Sequence, residues 1–388
     1  MTDRGDTIVG APRLLMPGGS WAGPGAVAMS AGRISHVLDA TPAGAEILAT
    51  GALTPGMLDL HNNGAFGIDF ATADTAGWRR ALAGLAAHGV TSVQPTVITA
   101  PLAEILAAMD RAAIAVDALM GEPVARVLGV HLEGPFLADS RRGAHRADWL
   151  RDATPDALDR LLGDPQSRRL LRTVTLAPER AHGLEALRRL VSAGVIVAIG
   201  HSDATAAQTL AAADAGATMV THLFNAMRPF AHRDPGLVGV ALTDARLWCG
   251  LIVDCFHVDP IACRLAFQAA GGRLVAVSDS ILIAGLPSGT KFEFGGSAVA
   301  ADENGVGRRG DKTIAGAGIM LDEGVRRMIA AGIDPATVLR AATEAPARAI
   351  GRDDLGRLAP GAAADLVWWD DDWIPRRVWI GGIEVTHG

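Results

Sequence analysis

Eight short apolar runs, with Ala- and Leu-rich helical stretches between most of them, constrain this 388-residue chain more than any other feature. The runs predicted as strands are Leu53–His61, Thr91–Thr96, Val127–Glu133, Arg172–Ala177, Val195–His201, Ala217–His222, Trp248–Asp254 and Arg273–Asp279. Helical periodicity is expected over Thr75–His88, Pro101–Met120, Gly183–Ala193, Ala204–Ala215 and Asp259–Ala270. Strand–helix alternation of this kind builds parallel sheet, and eight repeats are the count that closes a (β/α)8 TIM barrel. The Gly-rich stretch 284–311 reads as hairpin or loop before a further helix near Met320–Ala330.

The two ends differ from the middle. Both "TIVGAPRLLMP…GAVAMSAGRISHVLDA" and "LGRLAPGAAADLVWWDDDWIPRRVWIGGIEVTHG" read as strand, turn, strand. They suggest a small β-sandwich-like domain assembled from residues 1–52 and 355–388, with the barrel, 53–354, inserted between them.

Several of the runs end in a residue able to do chemistry, among them His61, Glu133, His201, His222 and Asp279. The carboxyl ends of barrel strands are where active sites are built, so the pattern favours an enzyme over a binding or structural module. Glu133, His201 and His222 supply one carboxylate and two imidazoles, the ligand count of a catalytic zinc site with an open position. Asp279 is placed to take a proton from water and pass it to a leaving group. His131 shares a strand face with Glu133 and is expected to support the site from behind. The chain has two lysines, Lys291 and Lys312. Neither falls on the fourth run, which excludes a metal-bridging lysine there.

Exclusions follow from composition. A formal net charge of −7 argues against non-specific binding to nucleic acid or anionic membrane. No uncharged run reaches the roughly 18–20 residues of a membrane span, and "MTDRGDTIVGAPRLLMPGG" lacks the basic-then-apolar order of a signal peptide; the expected location is cytoplasmic. Cys249, Cys255 and Cys263 have no paired spacing and read as buried free thiols. "GVGRRG" (305–310) matches a dinucleotide pattern only formally, since no strand precedes it and no helix follows.

"PGMLDLHNNG", "GVHLEGPF", "RRGAH", "GHSDAT", "THLFNAMRP", "HRDPGLVG", "IVDCFHVDP", "VSDS" and "PARAIG…GRLAPGAAADLV" occur in this order. Together they resemble the N-acetylglucosamine-6-phosphate deacetylases of the amidohydrolase superfamily, from Pro55 to Val367. The resemblance implies hydrolysis of an N-acetyl amino-sugar 6-phosphate to acetate and the free amine. It implies a metal on Glu133, His201 and His222, Asp279 as general base and then acid, and His145 over the acetyl carbonyl. Substrate contacts would come from Asn63, Ala144, Asn225, Ala226, His257 and Arg233, the arginine reaching in from a neighbouring subunit of a homodimer.

In that family the first strand ends in His-x-His with two metals or Gln-x-Asn with one; here it is His61-x-Asn63, a mixture. One divalent ion per subunit, zinc by ligand type, is expected, with His61 as a weak second site. Asn62, Ser278, Ser280 and Ile281 depart from the family pattern and are expected to border the pocket. The galactosamine epimer, another N-acyl compound, or a non-catalytic sugar-phosphate-binding barrel are the alternatives.

Overall fold

The computed structural model describes residues 7–311 and 313–385. Lys312 and the extreme ends of the two terminal segments lie outside the described residues.

Eight parallel strands form the barrel: β1 (Met57–Asn62), β2 (Val90–Ile98), β3 (Val130–Glu133), β4 (Leu171–Leu176), β5 (Ile196–Ile199), β6 (Met219–Val220), β7 (Trp248–Ile252) and β8 (Leu274–Val277). Each pairs with the next from β1 to β8. Helices are started by side chains at the loop ends. Asp74, Thr154, Asp164, Thr205, Asp259 and Asp334 each accept a hydrogen bond from the first turn of the helix they precede. Prolines follow four of these caps, where a missing N–H costs nothing. No described helix is long and apolar enough to cross a membrane.

The apolar run at 52–60 is two strands rather than one. Ala52–Pro55 pairs antiparallel with Leu366–Trp369 in a six-stranded sheet, and only after Gly56 does the chain enter the barrel as β1. A Cβ at Gly56 would lie 2.1 Å from Thr91 Oγ1, so the crossing admits only glycine. A four-stranded sheet from Thr7–Ala11, Gly25–Ser30, Arg33–Leu38 and Glu46–Ile47 accompanies the six-stranded one. Val9, Val27, Leu53, Leu366 and Trp379 share the core between them.

Barrel closure between β8 and β1 combines backbone and side-chain bonds. Asn62 and Ser280 form an isolated bridge there, the Asp279 N–H donates to the His61 carbonyl at 2.9 Å and the Asn63 N–H to the Ser280 carbonyl at 2.8 Å. The buried Asp59 carboxylate reinforces the joint. It accepts Ser278 Oγ–H at 2.5 Å, Ser278 N–H at 3.2 Å, the Asn62 amide at 3.0 Å and the His61 N–H at 3.3 Å. Asn62, Ser278 and Ser280 are therefore seam residues, at most 3 % exposed, and not pocket-lining as their polarity suggested. The hydroxyl that Ser278→Ala deletes leaves Asp59 short of a buried donor. It should cost about 1–3 kcal/mol of stability in a denaturant titration; a cost under about 0.5 kcal/mol would show that packing and backbone bonds hold the seam without it.

The segment after β8 is more ordered than its glycines suggest. Lys291–Phe294, Ser297–Ala301, Val306–Arg309 and Ile314–Ala317 form a four-stranded antiparallel sheet. Its small core (Ile281, Ile283, Phe294, Val299) packs with Ile98 of β2, which sets the sheet over the carboxyl mouth of the barrel. Of the cysteines, Cys249 and Cys263 are buried and Cys255 is half-buried; all three are free thiols.

Candidate metal-dependent active site

Glu133 is the last residue of β3, while His201, His222 and Asp279 stand two residues beyond the ends of β5, β6 and β8. These three adopt positive φ (47°, 29° and 47°), a conformation costing a non-glycine residue on the order of 1–3 kcal/mol. The strain turns each side chain off its strand and inward across the mouth. Two of these turns bring imidazoles onto the Glu133 carboxylate and the third brings Asp279 to His61 beside it, marking a site where geometry outweighs local stability.

Glu133 Oε1 lies 3.1 Å from His201 Nε2 and 3.0 Å from His222 Nε2, and the two imidazole nitrogens are 3.0 Å apart. On its other oxygen, Oε2 lies 3.3 Å from His61 Nε2 and 3.7 Å from His145 Nε2. His61 Nε2 is also 3.2 Å from Asp279 Oδ1, and Asn63 Nδ2 donates to that same oxygen at 3.0 Å. All of these imidazoles are buried.

The donor set fits a cation. His201 Nδ1 is 2.8 Å from the Arg141 carbonyl, which can only accept, so the proton of neutral His201 sits on Nδ1 and Nε2 presents a bare lone pair. That lone pair meets the Glu133 carboxylate and the His222 ring, a triangle of electron pairs that needs a positive centre. His222 Nδ1 is buried without a hydrogen-bond partner, and His61 Nε2 faces two carboxylate oxygens. Glu133, His145 and His201 also bring ligand atoms within 4.8 Å of one another. His222 is nearer to Glu133 than His145 is, which separates His145 from the tightest cluster.

Burial would raise the Glu133 pKa, but His61, His201 and His222 together hold it well below the usual carboxylate range. His61 is pulled the other way: burial disfavours its charge, yet Asp279 and Glu133 raise it to about 9. Burial and the neighbouring His201 lower His145 to about 3, so it is a neutral imidazole. His131 lies behind the cluster, its ring nitrogens 3.2 Å from Thr96 Oγ1 and 2.7 Å from Thr175 Oγ1; both are spent on hydroxyls.

A cavity of about 390 Å³ opens over this cluster, within the range of small-molecule sites. Asn63, Glu133, Ala144, His145, His201, His222, Asn225, Ala226, His257 and Asp279 line it. His61 lies beneath Glu133 and does not line it, and Arg233 is exposed outside it. The Asn225 N–H is bonded to the His222 carbonyl at 3.0 Å, so it offers the cavity no free donor. His257 Nδ1 is 2.6 Å from the buried Asp254 Oδ2. Burial lowers the His257 pKa, and the Asp254 carboxylate more than reverses this.

Residues the sequence did not single out come from the overlying sheet and the loop after β3: Phe294, Arg309, Thr313, Ile314 and Arg141. Arg309 donates to the Ala144 carbonyl at 3.1 Å, tying the sheet to the loop that carries His145. The only sequence signal for it was the basic pair inside "GVGRRG".

A buried carboxylate ringed by imidazoles at the carboxyl mouth of a TIM barrel is the centre of a metal-dependent hydrolase. Residues 52–385 match the Amidohydrolase family, and the chain belongs to it. Its relatives include the N-acetylgalactosamine-6-phosphate deacetylase of Escherichia coli O157:H7, 39 % identical over 332 residues (85 % of this chain, 86 % of that protein). The N-acetylglucosamine-6-phosphate deacetylase of Bos taurus is 38 % identical over 340 residues, covering 85 % and 82 %. The structure of N-acetyl-D-glucosamine-6-phosphate deacetylase from Mycobacterium smegmatis superposes with a TM-score of 0.91 at 34 % identity, over 98 % of this chain and 100 % of that one.

Proposed function

We propose that the chain is a metal-dependent deacetylase that hydrolyses N-acetyl-D-glucosamine 6-phosphate to D-glucosamine 6-phosphate and acetate. The observation that carries this reading is the Glu133–His201–His222 triangle beside Asp279, in a chain whose relatives of near-equal length deacetylate amino-sugar phosphates.

Glu133, His201 and His222 hold one divalent ion, zinc by the mixed carboxylate and imidazole donors; His61 offers a weak second position that Asn63 does not complete. When bound, such an ion polarises the acyl oxygen and lowers the pKa of water. Asp279 takes the proton of the attacking water on a carboxylate oxygen and delivers it to the departing amine nitrogen. Asn63 and His61 hold that carboxylate from two sides. His145, neutral and at the rim of the cluster, donates an N–H to the oxygen that gains charge as the carbonyl carbon becomes tetrahedral. The C–N bond then breaks, and the amine leaves with the proton Asp279 supplies.

His257 reads the phosphate. Asp254 fixes its Nδ1–H, turns Nε2 toward the cavity and favours the imidazolium. A second anion contact comes from Arg233, whose exposure outside its own cavity suits delivery to the cavity of a homodimer partner. A phosphorylated sugar does not cross membranes unaided, which supports a cytoplasmic location for this activity.

Acetate release tests this reading on three sugars: N-acetylglucosamine 6-phosphate, its galactosamine epimer and unphosphorylated N-acetylglucosamine. Turnover of the phosphorylated sugars alone is expected; turnover of none would overturn the assignment. The galactosamine epimer is the second reading, favoured by the 39 % identity to the Escherichia coli enzyme, and a higher kcat/KM on it would replace the first.

His257 also predicts a pH dependence. A raised pKa carries the imidazolium to higher pH than a free imidazole would keep it, and the charge is lost as pH climbs through that raised value. KM for the phosphorylated sugar should be flat below that point and rise above it, while KM for an unphosphorylated sugar should not follow. His257→Asn should raise KM about tenfold below that raised value and abolish the rise above it. A pH profile unchanged by the substitution would remove His257 from phosphate binding.

A further inference from the structure

A second, polar cavity of about 460 Å³ adjoins the first, between the loop after β3 and the overlying sheet. The two share Gly143, His145, Arg309 and Thr313, so they meet on the far side of His145 from the metal cluster. Resting on the deacetylase reading, the scissile carbonyl lies at Glu133 and His145. The sugar runs from there toward His257 on the β7 side. The substituent on the acyl carbon has the remaining exit, past His145 into the outer cavity.

Three arginines, Arg142, Arg146 and Arg309, and two acids, Asp148 and Asp311, line that cavity. Arg146 is held by both oxygens of Asp148 at 3.0 and 2.7 Å, and Arg142 by Asp139 at 3.2 Å. Arg309 differs. Its contact is the neutral Ala144 carbonyl at 3.1 Å; Asp311 also lines the cavity and feels the Arg309 charge, but its carboxylate accepts the Thr313 N–H at 3.0 Å and forms no ion pair with Arg309. A guanidinium carries five N–H donors in a planar fork that matches a carboxylate, and the carbonyl uses one of them.

We propose that the outer cavity is an acyl subsite, and that the enzyme hydrolyses N-acyl amino-sugar phosphates whose acyl chain is longer than acetyl and ends in a carboxylate bound by Arg309. The reaction is the same amide hydrolysis. Water adds its oxygen to the acyl carbon, the C–N bond breaks, the amine takes the proton, and a dicarboxylate leaves in place of acetate.

The test compares kcat/KM for the N-acetyl, N-butyryl and N-succinyl forms of glucosamine 6-phosphate, following release of the primary amine. Butyryl and succinyl have equal chain length and differ in the terminal charge. Succinyl should exceed butyryl by about tenfold or more, the worth of one charge-assisted contact. Arg309→Met should erase that preference. Ser297→Leu, at a position lining only the outer cavity, should lower both four-carbon substrates relative to acetyl. Turnover of acetyl with neither four-carbon substrate would overturn the proposal. So would an Arg309→Met protein that loses all three substrates equally, which would make Arg309 a reader of the shared sugar phosphate. An enzyme that does not turn over the acetyl form would instead overturn the deacetylase reading itself.

Discussion

The Asp279→Asn protein is expected to lose about 100- to 10,000-fold in kcat, the range that removal of a general acid–base group produces, while KM stays within severalfold. Asparagine keeps the volume and one carbonyl oxygen, so the Asn63 amide retains its acceptor and the strained backbone at 279 is undisturbed. What is lost is the ability to carry a proton between water and the amine nitrogen. Metal content should be unchanged, because Glu133, His201 and His222 are intact. A variant with kcat within tenfold of the parent would move the proton transfer elsewhere, with His145 the first residue to examine.

Glu133→Gln should have the larger effect on the metal. One carboxylate faces four imidazoles, at 3.0 and 3.1 Å on one oxygen and 3.3 and 3.7 Å on the other. The amide keeps the shape and removes the charge that binds them to a cation. The variant should purify with little divalent metal and no measurable deacetylation. At a metal concentration a thousand times the parent's dissociation constant, it should also lack the roughly 4 kcal/mol of stability that binding gives the parent. Metal analysis and denaturant unfolding, with and without added zinc, check both parts. Full metal occupancy in the variant would show that the imidazoles suffice, and would reassign the carboxylate's position to His61 or His145.

The chemistry of the mouth was legible because barrel topology converts a strand's last residue into a mouth residue. His61, Glu133, His201, His222 and Asp279 were found that way, and the cluster they form is the one the strand ends imply. The periodicity did not reveal how they turn inward. His201, His222 and Asp279 lie past the hydrogen-bonded strands in left-handed backbone, which no hydrophobic pattern encodes.

The polar residues at 62, 278 and 280 misled for a physical reason. A buried polar network and a pocket wall call for the same residue types, and only the partner across the seam, Asp59, tells them apart. Arg309 was hidden because its strand is four residues long in a Gly-rich stretch, too short for an alternating pattern to register.

The seam has a consequence for the timing of synthesis. His61 and Asp279 face each other at 3.2 Å, yet they ride on the first and last strands, joined through Asp59 and Ser278 across 219 positions of chain. During synthesis the strands that bring in Glu133, His201 and His222, the proposed ion ligands, emerge before the one that brings in Asp279, the proposed proton carrier. The proposed chemistry therefore waits on closure of this seam.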